Sequence, residues 1–252
     1  MITVKNLNKS FNGHRVLENI SVVFETGKTN LIIGQSGSGK TVLLKSIVGL
    51  HDADSGEVWF EDTLFNKLPF LEKKVIRSEM GMLFQGSALF DSLTVEQNVQ
   101  FPLDMFTNKT NEEKIERVNF CLKRVNILNS NQLFPSELSG GMKKRVAIAR
   151  AIALNPKYLF CDEPNSGLDP LTAIVIDELI KELTMEYSMT TIINTHDMNS
   201  VMEIGEKIIF ISKGLKCWEG DKNEILISDC GPLNDFVFAN SLAKRLRSEY
   251  RK

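Results

Sequence analysis

TNLIIGQSGSGKTVLLKSIVGL, residues 29–50, changes character twice within one stretch. It opens on a short apolar run, Leu31–Ile32–Ile33, of the kind a buried strand carries, and stops at a glycine-rich loop. Val42, Leu43, Ile47 and Val48 then recur at helical spacing. The order is strand, loop, helix. The loop itself, GQSGSGKT, satisfies G-x-x-x-x-G-K-[ST] at every fixed position, with Gly34, Gln35, Ser36, Gly37, Ser38, Gly39, Lys40 and Thr41. Glycines let such a loop curl until successive backbone N–H groups face one anion, and the following helix adds the positive end of its dipole. Lys40 is then placed for the β- and γ-phosphates, and the Thr41 hydroxyl for Mg²⁺. A bound nucleoside triphosphate follows from the pattern because it lies between a strand and a helix.

Outward from this loop, ITVKNLNKSF and RVLENISVVFETG alternate as antiparallel strands, and SGEVWFEDTLF returns to that pattern. EMGMLFQ, YLFCD and TTIINTHD read as buried strands, with LTAIVIDELIKELTMEY helical between the last two. Residues of about 87–155 are mainly helical; Ile115, Val118, Leu122 and Val125 follow a capping-box match at Thr110 and Glu113. KIIFISKG and KCWEG form a closing hairpin. Strands alternating with helices give an α/β fold with a parallel sheet.

Three sets of polar residues extend the chemistry. Asp162 stands at the carboxyl end of YLFCD, where open α/β sheets place their ligands, and Glu163 follows it. Asp162 suits Mg²⁺ held through water, and Glu163 suits the polarisation of an attacking water. Gln85, His196 and Asp169 occupy further strand ends and loops, and gain meaning only as a set. The third set is ELSGGMKKRVAIAR, residues 137–150, where a helix begins at two glycines, each among the poorest helix formers. Ser139 is a good N-cap, and Gly140 and Gly141 let a phosphate approach the backbone. Two phosphate loops, only one with a lysine, point to a two-fold dimer in which each chain completes its partner's site.

Taken in order, these motifs resemble the nucleotide-binding subunits of ABC transporters over residues of about 1–225. The resemblance implies a RecA-like P-loop NTPase fold with an antiparallel β subdomain and an inserted helical subdomain of about residues 87–155. It implies an ATPase using ATP and Mg²⁺. Phe11 matches the aromatic that stacks on adenine, and residues 34–41 match the Walker A loop. Gln85 matches the Q-loop residue that contacts Mg²⁺ or the lytic water. Residues 138–142 match the signature, residues 158–162 Walker B and Glu163 the catalytic glutamate. Ser166 to Asp169 match the D-loop, and His196 the switch histidine. The signature reads LSGGM where the family usually has LSGGQ. With FQGSALFDSLTVEQNVQFPL after the Q-loop, Met142 resembles the ATPases of Mla-type or Mkl-type phospholipid systems. That finer resemblance implies phospholipid transport through integral-membrane permease subunits, with a periplasmic MCE-type lipid-binding component. Leu89, Phe90 and Leu93 match the groove that receives a permease helix. Two alternatives stand beside this reading: an importer ATPase for another solute such as an amino acid, and a soluble ABC ATPase acting on ribosomes or DNA.

The whole chain bounds these readings. It has 252 residues, 42% hydrophobic and 25% charged, with a net charge of −2, so no basic field speaks for nucleic acid. No apolar stretch approaches the ~20 residues of a membrane span. Together with the resemblance to permease-bound ATPases, this implies a peripheral location at the cytoplasmic face of the inner membrane. Four scattered cysteines are expected to be plain thiols. The tail, residues 226–252, offers Phe236, Phe238 and Leu242 followed by Lys244, Arg245, Arg247, Arg251 and Lys252. It is expected to be either a solvated helix or a contact with the other protomer or an accessory subunit.

Overall fold

A computed structural model describes residues 1–239; Leu242 and the basic cluster after it lie outside the described residues. In chain order the strands and helices begin with β1 (Ile2–Phe11), β2 (His14–Phe24), β3 (Thr29–Ile33), α1 (Lys40–Ile47), β4 (Ser55–Phe60) and β5 (Thr63–Leu64). There follow α2 (Phe70–Ser78), β6 (Met80–Leu83), α3 (Val95–Phe106), α4 (Asn111–Arg124), α5 (Gly140–Ile152), β7 (Tyr158–Asp162) and α6 (Pro170–Glu186). The remainder is β8 (Thr190–Thr195), α7 (Met198–Ile204), β9 (Lys207–Ser212), β10 (Leu215–Gly220), α8 (Lys222–Ile227) and α9 (Gly231–Val237). The chain divides into two compact units, Met1–Pro69 with the segment from Thr190 onward, and Phe70–Met189.

In the first unit, β1 pairs antiparallel with both β2 and β4, and β5 follows on β4. Ile2 and Val4 on β1, and Ile20, Val22 and Phe24 on β2, are buried in strict alternation, whereas Leu7 and Leu17 are buried out of phase with them, across the left-handed residues Asn6 and Asn19. The second sheet of this unit has β3 between β8 and β9, all parallel, with β10 antiparallel on β9. Every residue of β3 and β8 is buried, which is why these strands read as continuous rather than alternating runs. The parallel order brings the carboxyl ends of β3 and β8 to one side, and these ends lead into the phosphate loop and His196.

The closing residues of this unit decide one expectation. Leu233, Val237 and Phe238 are buried, and the Phe236 ring lies 5.6 Å from that of Phe210 on β9. The described part of the tail therefore packs on its own chain and is not a solvated helix.

In the second unit, β6 and β7 pair in parallel, and α5 packs on β6 and against α3 and α4. Both α3 and α4 open on complete capping boxes, Thr94 with Gln97 and Thr110 with Glu113. Only the second was apparent from sequence. Helix α2 also escaped the sequence reading. It buries no residue, and its Phe70, Leu71 and Val75 stand open to solvent.

Candidate functional site

The phosphate loop forms as its glycines require. Gly34 has φ 152°, and a Cβ there would collide with the Ile211 carbonyl oxygen. Gly39 has φ 108° and serves as the N-cap of α1, where a Cβ would meet Leu17 at 2.8 Å. Only glycine fits both the backbone and the space. Inside the loop, Lys40 is 5% exposed and donates from Nζ to the carbonyl oxygens of Gly34 at 2.8 Å and Gln35 at 3.1 Å. The Ser38 Oγ is buried with no hydrogen-bond partner, an arrangement that costs free energy unless a ligand supplies one. A buried cation, an orphaned hydroxyl and a helix with no acidic residue in its first turn fit a bound polyphosphate.

Phe11 is exposed on the same unit, with its ring edge-on to His51 at 5.3 Å and the Lys9 ammonium 5.1 Å from its centroid. His196 follows β8 directly and is exposed.

In the second unit the structure brings three predicted residues together. Gln85 Nε2 donates to Glu163 Oε2 at 3.0 Å and to Ser166 Oγ at 3.2 Å. Asp162 ends β7 and is buried, and Glu163 immediately after it has φ 47°. A left-handed glutamate is uncommon and marks a backbone constrained by its surroundings. The side-chain oxygens of Asp162 and Gln85 in this unit, and that of Thr41 in the first, are each of the hard donor type that Mg²⁺ takes. Among the described residues no group of three or more His, Cys, Asp or Glu could hold a metal ion by itself.

The signature forms a second centre within this unit. Ser139 caps α5, its Oγ accepting from the Met142 N–H at 3.3 Å. Gly140, Gly141, Leu168, Asp169 and Thr172 border a cavity of about 480 Å³ beside it. Asp169 caps α6, accepting from the Thr172 N–H at 3.0 Å and the Thr172 hydroxyl at 2.6 Å. Those hydrogen bonds, the hydroxyl first, lower the pKa of its carboxyl. Helices α3, α4 and α8 each carry a glutamate in the first turn, whereas α5 carries none.

A further cavity of about 480 Å³ is lined by Met82, Phe84, Phe90, Phe101, Phe106 and Leu154 among others. The sequence reading placed this groove at Leu89, Phe90 and Leu93; Phe90 lines it, and Leu89 and Leu93 do not. Of the lining residues Phe90 is held by Asn98, fully buried on α3, which exchanges hydrogen bonds with the Phe90 backbone and donates to the carbonyl oxygens of Leu93 and Thr94. Two cations also escaped sequence analysis: Lys144 and Arg150 of α5, which bond to backbone carbonyls of residues 85–88. Their signal was a lysine on the buried face of α5, four residues before Ile148.

The cysteines are free thiols, as expected. Burial pushes the Cys121 thiol up to about 11, and Cys161 is likewise raised. These two are unreactive packing groups.

The ABC transporter family model matches residues 17–166, more than half of the chain. The chain belongs to the ABC transporter family. Among relatives of this ABC protein, the methionine import ATP-binding protein MetN of Carboxydothermus hydrogenoformans is 38% identical over 252 residues, covering 99% of this chain and 74% of that protein. The probable ribonucleotide transport ATP-binding protein mkl of Mycobacterium leprae is 34% identical over 236 residues, covering 94% of this chain and 68% of that one. Among solved structures, the dimeric post-hydrolysis state of the ATP-binding cassette MJ0796 with ADP and Pi superimposes with a TM-score of 0.81 at 34% identity. It covers 88% of this chain and 98% of its own. The fold is thus the P-loop fold of ABC ATPases, with antiparallel and helical parts, and the chain is an ATPase subunit that works with ATP and Mg²⁺. No helix among the described residues is long and apolar enough to cross a membrane.

Proposed function

We propose that this ABC ATPase powers the movement of phospholipid through a partner permease in the bacterial envelope. The observation that carries the cargo is Met142 ending the signature, taken with FQGSALFDSLTVEQN after the Q-loop. The mkl relative bears the name of that branch, although the cargo in its own name is a ribonucleotide. A second reading, import of an amino acid such as methionine, is favoured by the 38% identity to MetN. Both readings share one engine and differ in the permease. The ribosome or DNA alternative has no support among these relatives.

In the engine, residues 34–41 hold the β- and γ-phosphates, with Lys40 as the counter-charge and Phe11 against the base. Thr41, Asp162 and Gln85 would hold Mg²⁺, which supplies charge neutralisation on the phosphate oxygens. Glu163 accepts the proton of a water as that water's oxygen bonds to the γ-phosphorus. The bond from that phosphorus to the bridging oxygen breaks, and ADP and phosphate leave. Gln85 holds the carboxylate of Glu163, and His196 steadies the γ-phosphate. Ser139, Gly140, Gly141 and Asp169 face the nucleotide of a second copy, as the dimeric state of the MJ0796 cassette supports. The permease docks on the groove around Phe90 and Phe101, with the exposed apolar side of α2 as further surface. The same reading takes residues 1–225 as the nucleotide-binding domain and 226–252 as a tail. It places the protein at the cytoplasmic face of the inner membrane.

The test uses Glu163→Gln. Turnover is expected to fall nearly to zero while ATP-dependent dimers persist; normal turnover would remove Glu163 as the base. Extracted with ATP from native membranes, the same variant should bring a permease, a periplasmic MCE-type protein and phospholipid. Co-purification of a permease with an amino-acid-binding protein would transfer the assignment to solute import.

A further inference from the structure

Helix α5 begins at the signature, and a turn and a half later reaches the Q-loop. Lys144 Nζ donates to the Gln85 carbonyl oxygen. Arg150 donates from its two terminal nitrogens to the carbonyl oxygens of Ser87 at 2.9 Å and Ala88 at 2.8 Å. Ser87 and Ala88 have φ 64° and 47°, two consecutive non-glycine residues in the left-handed region. Each such residue is conformationally strained and persists only where its surroundings enforce it. Here the enforcing groups are identifiable, because the guanidinium bonds to both strained residues.

Lys144 is only 4% exposed, unusual for a lysine. Burial depresses its pKa, and the nearby Cys161, Glu163 and Asp162 oppose that shift. The cation bonds to the backbone of Gln85. The side chain of Gln85 in turn donates to Glu163. One helix thus carries Ser139 at its start and, about 8 Å further along its axis, the ammonium that holds Gln85.

We propose that Lys144 and Arg150 are positioning residues: they fix the turn Gln85–Ala88 so that Gln85 holds Glu163. The inference rests on Glu163 being the base. A cation that merely stabilised the turn would lower the melting temperature on removal and leave the folded enzyme's kcat alone. A positioning cation sets kcat and leaves ATP binding alone.

The experiment is steady-state ATP turnover by the full chain, with melting curves, for Lys144→Met, Lys144→Arg and Arg150→Lys. Lys144→Met is expected to lower kcat roughly 10- to 100-fold with KM for ATP within about twofold. Lys144→Arg should regain most of that loss, and Arg150→Lys should show a smaller fall of the same kind. Wild-type kcat in Lys144→Met overturns the proposal, as does a lowered melting temperature with kcat unchanged. Should Lys144→Met fail to fold, Arg150→Lys decides alone, and an unaltered kcat overturns it. Failure here is distinct from failure of the base assignment. Normal turnover in Lys144→Met beside an inactive Glu163→Gln sinks only the positioning role, whereas normal turnover in Glu163→Gln sinks the base.

Discussion

Gly140 and Gly141 are adjacent, yet they exclude different things. A Cβ on Gly141 would lie 2.8 Å from Thr172 Cγ2, and Thr172 cannot turn away without losing the hydroxyl bond to Asp169. A Cβ on Gly140 would meet Leu168 at 3.6 Å, an ordinary contact. Packing therefore demands glycine at 141 and not at 140. Alanine gains up to about 1 kcal/mol over glycine inside a helix, and less in its first turn. Gly140→Ala is thus expected to leave the melting temperature level or slightly raised, while ATP-dependent dimerisation weakens because phosphate can no longer approach the backbone. Gly141→Ala is expected to lower the melting temperature by disturbing the cap of α6. Thermal melts and size-exclusion runs with ATP separate the two. Equal dimerisation in Gly140→Ala and wild type would leave that glycine without a phosphate role.

At the scale of elements, two capped helices show what a cap contributes with and without a ligand. Thr110 caps α4 in a reciprocal box with Glu113, so Thr110→Ala should cost about 1 kcal/mol and leave turnover unchanged. Asp169 caps α6 beside the signature, and its carboxyl is held below its ordinary value of 3.8, chiefly by the Thr172 hydroxyl. A depressed carboxylate contributes stability above its unfolded pKa and loses it as pH falls through the folded one. The gap in stability between wild type and Asp169→Ala should therefore be full at neutral pH and close below about pH 4; a gap that widens in acid would contradict this. The Thr110 box was legible because its residues sit at the right spacing before a regular stripe. Asn98 and Lys144 were not, for one physical reason. Each is a polar residue on a buried helical face, and its partners are backbone carbonyls of a loop, which no side-chain pattern records. Helix α2 was missed because it is only nine residues long, too short for the one-turn spacing of Leu71 and Val75 to stand out as a stripe. The strands and the phosphate loop were legible because continuous apolar runs and obligatory glycines need no distant partner to be recognised.

For the whole molecule, the chain's return matters most. Residues from Thr190 onward rejoin the first unit, so β3 finds its neighbours β8 and β9 more than 150 residues later in the chain. The phosphate loop is carried by a sheet whose strands come from segments far apart in the chain. Ligand binding to that loop should then stabilise the fold by linkage, since an unfolded loop offers no cradle. At a nucleotide concentration about 100 times Kd the gain is about 2.7 kcal/mol. For a chain of this size that is a rise in melting temperature of roughly 5–10 °C. Glu163→Gln with ATP and Mg²⁺ is the protein in which to measure it, because the nucleotide survives the scan. Chelating the Mg²⁺ should shrink the rise, and Lys40→Ala, which removes the buried counter-charge of the loop, should nearly abolish it. The apparent melting temperature should also climb with protein concentration when ATP is present and not otherwise, because dimer formation adds its own mass-action term. A nucleotide-induced rise that is the same in Lys40→Ala would mean that ATP is held somewhere other than residues 34–41.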